Sequence, residues 1–299
     1  MLKKIALVTI ALCAGGILWY LFIMPQDYVI RFRTKASPGT VNQIVKFWVG
    51  QKGNASFESQ ESLSDFRNTL TLNDTTLNFH WLIEKDNDSV SLVKVYINDP
   101  KNSLKQRLQI PFFDTDFEKR SKTTVKEVFS LLNSHLKNFK ITIVGEAVIP
   151  EKYCACISLK SIQLNKVKGM MDHYSTLSGF MAKNNIELDG RPLVEVEKWN
   201  IQNDSIAYNF CFPIHKTDSL PRKKGIFYKR IEEQKAIKAI YNGNYLTSDR
   251  AWYALIDYAD KKQIKVKKEP YEVFNTNPNM GGNELEWIAE IFMPLHAQE

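Results

Sequence analysis

The hydrophobic pattern of the chain begins with one unbroken apolar run over residues 5–24, which contain no charged side chain. At ~1.5 Å per residue such a helix would be about 30 Å long, the thickness of a bilayer core. Lys3 and Lys4 precede the run, and Trp19 and Tyr20 lie near its end, as in membrane helices. The pattern predicts a transmembrane anchor over residues 1–26. A cleaved signal peptide is the alternative, although the run is longer than the apolar region of such peptides.

The side of the membrane follows from the positive charges that flank the run. Lys3 and Lys4 favour a cytoplasmic amino terminus, whereas Arg31 and Arg33 on the other flank oppose it. We expect a single-pass membrane protein whose soluble part lies on the outer (periplasmic) side.

The first soluble stretch alternates apolar and polar residues over 28–34, which predicts a strand, and a helix then begins at Ser37-Pro38. Apolar positions at helical spacing predict a long amphipathic helix over about 114–139 that must lie across a sheet. Further strands are predicted over residues 68–72, 76–84, 89–97 and 104–113.

The second stretch repeats this kind of order. Helices are predicted over 164–184, with methionines and aromatics on a side we assign to the core, and over 248–262. Each half therefore contains a strand, a helix and more strands, so we predict an α+β fold with a duplicated unit. Strands are predicted over 153–163, 191–200, 204–214, 225–239 with a bend, 270–275 and 285–295.

Composition excludes several functions. The net charge of +7 comes from lysines and arginines scattered along the chain, which favours solvated loops over a nucleic-acid surface. The five histidines lack ligand-like spacing, so no metal or cofactor is predicted. Cys154 and Cys156 share a strand face and Cys211 lies between two phenylalanines. We expect all three cysteines to pack in the core rather than form a disulfide.

The last strand carries the most informative charged residue. Alternation puts Glu290 on the same face as Ile288 and Phe292, so its carboxylate would face a core or an apolar cavity. A hydrophobic, aromatic pocket with one buried negative charge suits an organic cation. We predict that Glu290 and nearby aromatics bind the ligand; these aromatics are Tyr208, Phe210, Tyr228, Tyr245, Trp252 and Phe292. Equally open is that Glu290 is paired with a Lys or Arg, or exposed at an edge.

Two resemblances follow from these segments. The element order over residues 27 to about 145 resembles the helix-grip fold of START-like, polyketide-cyclase-like proteins, in which a long helix closes a hydrophobic cavity against a curved sheet. The segments 241–245, 252–256, 270–274 and 287–295 resemble the GyrI-like, or AraC-type effector-binding, domain. The resemblances imply a START-like domain over 27–148 and a GyrI-like domain over 149–299.

The GyrI-like resemblance implies a function. In that family a glutamate four residues before a proline in the final strand lies at the floor of the ligand pocket, and Glu290 with Pro294 occupies that position. Ala289 replaces the usual threonine. The resemblance implies binding of hydrophobic or cationic small molecules, and we expect no nucleic-acid partner because no helix-turn-helix segment is found. The alternatives are a hydrolase of strained electrophiles with Glu290 as its base, and a non-catalytic envelope scaffold.

Overall fold

The structure, a computed structural model, describes residues 2–72, 75–87, 90–217 and 219–296. Asn73 and Asp74, a pair typical of turns that separates the predicted strands 68–72 and 76–84, lie outside these residues. The chain divides into two compact units, residues 1–133 and 134–299. Both units are mixed α+β, and each contains one antiparallel sheet.

The helices and strands are numbered in chain order. The helices are α1 (Leu2–Leu18), which continues as a π-helical turn Trp19–Ile23, α2 (Pro38–Gln51), α3 (Ser103–Gln109), α4 (Asp116–Leu136), α5 (Lys166–Lys183) and α6 (Arg250–Lys262). The strands are β1 (Tyr28–Thr34), β2 (Ala55–Ser62), β3 (Asp65–Leu72), β4 (Thr75–Lys85), β5 (Ser91–Asn98), β6 (Phe139–Ile149), β7 (Lys152–Ile162), β8 (Leu193–Asn200), β9 (Ser205–Pro213), β10 (Phe227–Ile231), β11 (Gln234–Gly243), β12 (Tyr271–Phe274) and β13 (Ile288–Pro294).

The N-terminal helix is long and apolar enough over Lys4–Ile23 to cross a bilayer, a property that signal sequences share, and none of it is buried. It joins the first unit at its C-terminal end. There Arg107, on α3, donates hydrogen bonds to the carbonyl oxygens of Tyr20 and Leu21 at 3.3 and 3.0 Å. The same guanidinium forms a buried ion pair of 2.7 Å with Asp27.

The sheet of the first unit has the strand order β1-β5-β4-β3-β2. Its core face carries Phe66, Phe79 and Trp81, which are all buried. The long helix α4 packs against this unit, because Phe129 contacts the ring of Phe32 with centroids 5.0 Å apart, and Val128 is fully buried. The predicted long amphipathic helix is therefore present, two to three residues shorter at each end.

Two segments of the first unit differ from expectation. Residues 104–113 were expected to form a strand, but Ser103–Gln109 is the helix α3. The reason is tertiary: a helical turn brings Ser103 and Arg107 to the same side, where both bond Asp27 Oδ1. The strand β2 was not predicted, because its sequence ASFESQES is polar and mostly solvent-facing at the sheet edge.

The sheet of the second unit has the order β10-β7-β9-β8-β12-β13-β11-β6. This sheet contains two halves with the same element order, β7-α5-β8-β9 and β11-α6-β12-β13. In the sheet, the strands of the first half lie in the order β7-β9-β8 and those of the second in the reverse order β12-β13-β11. The two halves meet where β8 pairs with β12. Both helices lie on one face, which we call the helix face. It carries Phe212, which contacts Tyr174 of α5, and Glu272, which bonds Trp252 of α6.

Short connections force this sheet to curl. Two residues join β6 to β7, and two join β10 to β11, yet each pair of strands is six positions apart in the sheet. Six strand spacings span about 29 Å in a flat sheet, while a two-residue connection reaches about 11 Å. The two ends of the sheet must therefore approach each other. The face opposite the helices, the inner face, encloses a core that includes Ile149, Cys156, Ile231, Tyr271 and Phe292.

The strand β6 pairs along its length with β11 and so belongs to the second sheet. The compact units accordingly divide between residues 133 and 134, earlier than the expected boundary at 148. The expected bent strand over 225–239 is two strands, β10 and β11, which lie six positions apart in the sheet.

A disulfide joins Cys156 of β7 to Cys211 of β9, so the expectation that these cysteines only pack is wrong. The two residues are direct cross-strand partners, which is a matter of register that their spacing of 55 residues does not reveal. Cys154 stays a free thiol, and burial raises its pKa to about 12.

Candidate functional site

The second unit contains a cavity of about 630 Å³ on its helix face. Its floor is formed by Phe210 of β9 and Phe274 of β12, one wall by α5, and the other by the turn at Tyr245 with residues 275–279. The apolar lining residues are Val167, Met170, Met171, Tyr174, Phe210, Tyr245, Leu246, Phe274 and Trp287. A cavity of this size and composition fits a drug-sized organic molecule.

Local sequence explains how Tyr245 is held in the wall. It follows Asn244, whose side chain caps the short turn Tyr245–Thr247 by accepting from the Leu246 N–H. The Tyr245 ring contacts Phe274 at 4.9 Å and Trp287 at 5.9 Å between centroids. Its hydroxyl donates to the Ile288 carbonyl at 2.7 Å and accepts from the Thr276 N–H at 3.1 Å. Burial raises the pKa of Tyr245, so the phenol stays neutral at physiological pH.

The polar part of the lining is neutral except for one cation. Serine, threonine and asparagine side chains contribute hydrogen-bonding groups, and Arg191 is the one charged side chain among the described residues of the lining. No described carboxylate lines the cavity. The electrostatics of this lining favour a neutral or anionic apolar molecule over a cation.

A buried ionic cluster lies beside the cavity on the same face. Glu272, fully buried on β12, binds Lys166 Nζ through both carboxylate oxygens at 2.5 and 2.6 Å. It also accepts from Ser248 Oγ at 3.2 Å and from Trp252 Nε1 at 2.5 Å. Lys166 lies over the Trp252 ring, 4.5 Å from its centroid. Because every member has partners, the cluster joins α5, α6 and β12 rather than presenting an open charge to a ligand.

Glu290 lies on the same face of β13 as Phe292, as strand alternation predicted, and this is the inner face that encloses the core. It pairs in register with Val273, and its neighbour Ile291 pairs with Glu272, so Glu290 points to the inner face, away from the cavity. There it forms an ion pair of 2.9 Å with Lys238, and 31% of its side chain is exposed. The paired alternative, left open above, describes this residue, and Glu272 is the glutamate that is buried among the described residues of this unit.

The other expected ligand-binding residues separate into three groups. Phe210 and Tyr245 line the cavity. Tyr208 and Trp252 are buried on the helix face and bond the ionic cluster, since Tyr208 donates to the Lys166 carbonyl and Trp252 to Glu272. Two lie away from the cavity: Tyr228 on edge strand β10, where it stacks on Tyr153, and Phe292 in the inner core.

Several lining residues were not identified from the sequence. Met170, Met171 and Tyr174 were assigned to a core face of α5, but Met171 is largely exposed and all three border the cavity. Phe274 and Trp287 flank the loop between β12 and β13. The available signal was the number of methionines on one side of α5, since methionine is common at surfaces that adapt to varied apolar ligands.

Among the described residues, no group of three or more histidine, cysteine or acidic side chains is placed to hold a metal ion.

Comparison with known proteins gives fold similarities of low identity. No family model matches the chain, and no curated protein matches it. Among solved structures, the EcmrR C-terminal domain aligns with 54% of this chain and 99% of its own length, at 14% identity and a TM-score of 0.44.

Two further similar structures share the same range of coverage. SAV2435 bound to tetraphenylphosphonium aligns with 53% of this chain and 94% of its own, at 10% identity and a TM-score of 0.34. A hydrolase from Listeria innocua aligns with 51% and 92%, at 11% identity and a TM-score of 0.35. At these identities and TM-scores, the activity or ligand of a similar structure cannot be assigned to this chain.

Proposed function

We propose that this chain is a membrane-tethered binding protein for hydrophobic small molecules, and that the ligand occupies the cavity between α5, Phe210 and Phe274. The observation that carries the proposal is the cavity itself: about 630 Å³, with an aromatic and methionine-rich lining and hydrogen-bonding groups at its rim. Methionine adapts its shape to different apolar ligands. Hydrolysis has less support, since no described carboxylate borders the cavity to act as a base.

The family proposals fit this function. The two halves β7-α5-β8-β9 and β11-α6-β12-β13, which meet at the centre of one sheet, support a GyrI-like domain. In the first unit, the sheet order and the packing of α4 through Phe129 on Phe32 support a helix-grip, START-like domain.

The charge of the ligand follows from the lining. Arg191 would attract an anionic head group and repel a cation, whereas the carboxylates of Glu272 and Glu290 are both neutralised by lysines. The proposed ligand is therefore apolar, and neutral or anionic. The cationic ligand expected from the sequence has no carboxylate partner among the described residues that line this cavity.

The location outside the cytoplasm has two supports. Lys4 precedes the apolar helix on the side that would remain in the cytoplasm. The Cys156–Cys211 disulfide is of a kind that persists in oxidising compartments such as the bacterial periplasm. Both fit a protein whose cavity meets compounds that come from outside the cell.

The test is dye binding by the full chain in lipid nanodiscs, with empty nanodiscs as the blank. We expect the neutral dye N-phenylnaphthylamine and the anionic dye anilinonaphthalene sulfonate to bind, and the cation tetraphenylphosphonium to bind more weakly. Ser175→Phe fills the cavity from α5 and should lower dye affinity at least about tenfold, because a ring replaces the space that the ligand needs.

The matched control is Thr176→Phe. This residue is exposed, adjacent on the same helix and absent from the lining, so the variant should bind like the wild type. If Ser175→Phe and Thr176→Phe bind equally well, the cavity is not the binding site. If only the cation binds, the assignment of ligand charge is wrong.

A further inference from the structure

The first unit exposes a group of large apolar side chains close together in sequence. Leu104, Leu108, Phe112 and Phe113 are 45%, 51%, 79% and 67% exposed. Four such residues within ten positions form a patch, whereas single exposed apolar residues are scattered over ordinary protein surfaces. A patch of this kind marks a contact surface.

The helix α3 orients this patch. Leu104 and Leu108 are four residues apart and so lie on one side of the helix, next to the side on which Arg107 is buried against Asp27. The phenylalanines follow directly in the turn after α3, whose amides at Phe112 and Phe113 bond the Gln109 carbonyl at 3.0 and 2.9 Å. The two leucines of α3 and the two phenylalanines are therefore joined by one short, hydrogen-bonded segment.

Hydrogen bonds fix this surface to the end of the apolar N-terminal helix. Arg107 donates to the carbonyls of Tyr20 and Leu21, which belong to the last turn of the span Lys4–Ile23. Phe22 and Ile23 in that turn are also exposed. If the helix spans a bilayer, its last turn lies at the boundary of head groups and acyl chains, and α3 is held at the same depth.

We propose that α3 and the Phe112–Phe113 turn form a second membrane contact, which inserts its apolar side chains into the interfacial layer of the bilayer that the N-terminal helix crosses. The inference rests on the proposed tether. Lipid is the occupant because α3 is hydrogen-bonded to the last turn of the apolar helix, which places the exposed apolar side chains close to the end of the span. The exposed Lys105 on α3 is suited to lipid phosphate groups.

This contact gives the tether a geometric role. A single helix alone would let the soluble part rotate and tilt freely about the anchor. The Arg107–Asp27 pair and an inserted α3 would instead fix the orientation of the first unit, so that β1, which follows the span after four connecting residues, leaves the membrane in one direction.

The test places an environment-sensitive NBD fluorophore on single cysteines of the full chain, reconstituted in phosphatidylcholine–phosphatidylglycerol vesicles. Cys13 is first changed to Ala so that the buried Cys154 and the disulfide are the remaining native cysteines. The labelled sites are Phe113→Cys in the patch, Ile10→Cys in the middle of the span, and Ser62→Cys at the exposed C-terminal end of β2. Ser62 lies beside the Ile83–Lys85 end of β4, the end of the sheet farthest from Tyr28.

Quenching by lipids that carry a doxyl group near the head-group end is then compared among the three sites. We expect quenching at Phe113→Cys several-fold stronger than at Ser62→Cys, together with a blue-shifted emission. If Ile10→Cys contacts lipid while Phe113→Cys is as weakly quenched as Ser62→Cys, the second contact is wrong and the tether stands. If Ile10→Cys is itself exposed to water, the proposed tether is wrong and this inference falls with it.

Discussion

The two faces of the eight-stranded sheet each hold a glutamate paired with a lysine, and the two pairs differ in burial and in the number of their hydrogen-bond partners. On the helix face, Glu272 and Lys166 have side chains 0% and 2% exposed, with Ser248 and Trp252 as further partners. On the inner face, Glu290 and Lys238 are 31% and 20% exposed, and their one direct contact is a 2.9 Å ion pair. Removing charge from water is costly, so the first pair needs its whole set of hydrogen bonds, and the second does not.

This difference shows what decides the environment of a carboxylate. Both glutamates lie on short strands between apolar neighbours, so their local sequences suggest equal burial. Glu272 is sealed because Lys166 of α5 and Trp252 of α6 contact it, whereas Glu290 lies on the opposite face and keeps 31% of its side chain exposed. The covering elements, which come from distant parts of the chain, set the burial.

The largest expected effect comes from breaking the buried pair. Glu272→Gln leaves the Lys166 ammonium buried without its counter-charge, which we expect to lower the free energy of unfolding by about 3–5 kcal/mol. The measurement is urea unfolding of the full chain in detergent, followed by the near-ultraviolet circular dichroism of its tryptophans.

The control for this variant removes both charges. Lys166→Met combined with Glu272→Leu should recover most of the lost stability, because an apolar pair leaves no uncompensated charge. If Glu272→Gln unfolds like the wild type, the cluster is solvated and the contrast between the two faces disappears.

The second effect concerns the disulfide of the inner face. Cys211→Ser removes a crosslink between residues that are 55 positions apart in the chain, so we expect the free energy of unfolding to fall by about 2–4 kcal/mol. Cys154→Ala, on the same strand as Cys156 but outside the disulfide, is the matched control and should lose less. Unfolding of each variant with and without a reductant checks the assignment, since a reductant should destabilise only proteins that retain the Cys156–Cys211 bond.

The sequence predicts much of the secondary structure because periodicity is a local property. The alternation over β1, β3, β4 and β5 and the apolar stripe of α4 each appear in the structure within a few residues of the predicted bounds. The segment that became α3 was misjudged because its helical form depends on Asp27, which lies about eighty residues earlier in the chain. Strand β2 lacks an apolar face and so gives no periodic signal.

The site was predicted only in part, for the same reason. Phe210 and Tyr245 were expected from their place among aromatics and do line the cavity. The pairing Glu272↔Ile291, which turns Glu290 away, depends on sheet register between β12 and β13. Register, like the Cys156–Cys211 pairing, results from tertiary folding and leaves no trace in the spacing of residues along one strand.

A third, smaller effect is the loss of stability at acidic pH that we expect from His135, which contacts α6 through Arg250. His135 Nε2 accepts a hydrogen bond from Arg250 at 3.1 Å, and burial, followed by the charge of Arg250, lowers its pKa to about 4. The unfolded chain binds this proton near pH 6.5, so stability is complete above that pH and falls as the pH drops towards 4. Allowing for the partial exposure of the ring, we expect a loss of about 1 kcal/mol between pH 7 and pH 5.

His135→Gln provides the comparison for the acid effect. Its amide oxygen can accept from Arg250 but binds no proton in this range, so its stability should fall less between pH 7 and pH 5 than that of the wild type. Thermal midpoints of both proteins across this range give the answer. Parallel pH profiles would mean that His135 is not the titrating group.

The smallest effect is expected at Glu290. Glu290→Gln removes an ion pair that is open to water, so the free energy of unfolding should change by about 0–1 kcal/mol, and less at high salt. Dye binding should be unchanged, because the side chain points away from the cavity. Urea unfolding and dye titration of the same preparation measure both quantities. A variant that keeps its stability but loses ligand affinity would bring Glu290 back as the pocket carboxylate, and the ligand site would then lie on the inner face of the sheet.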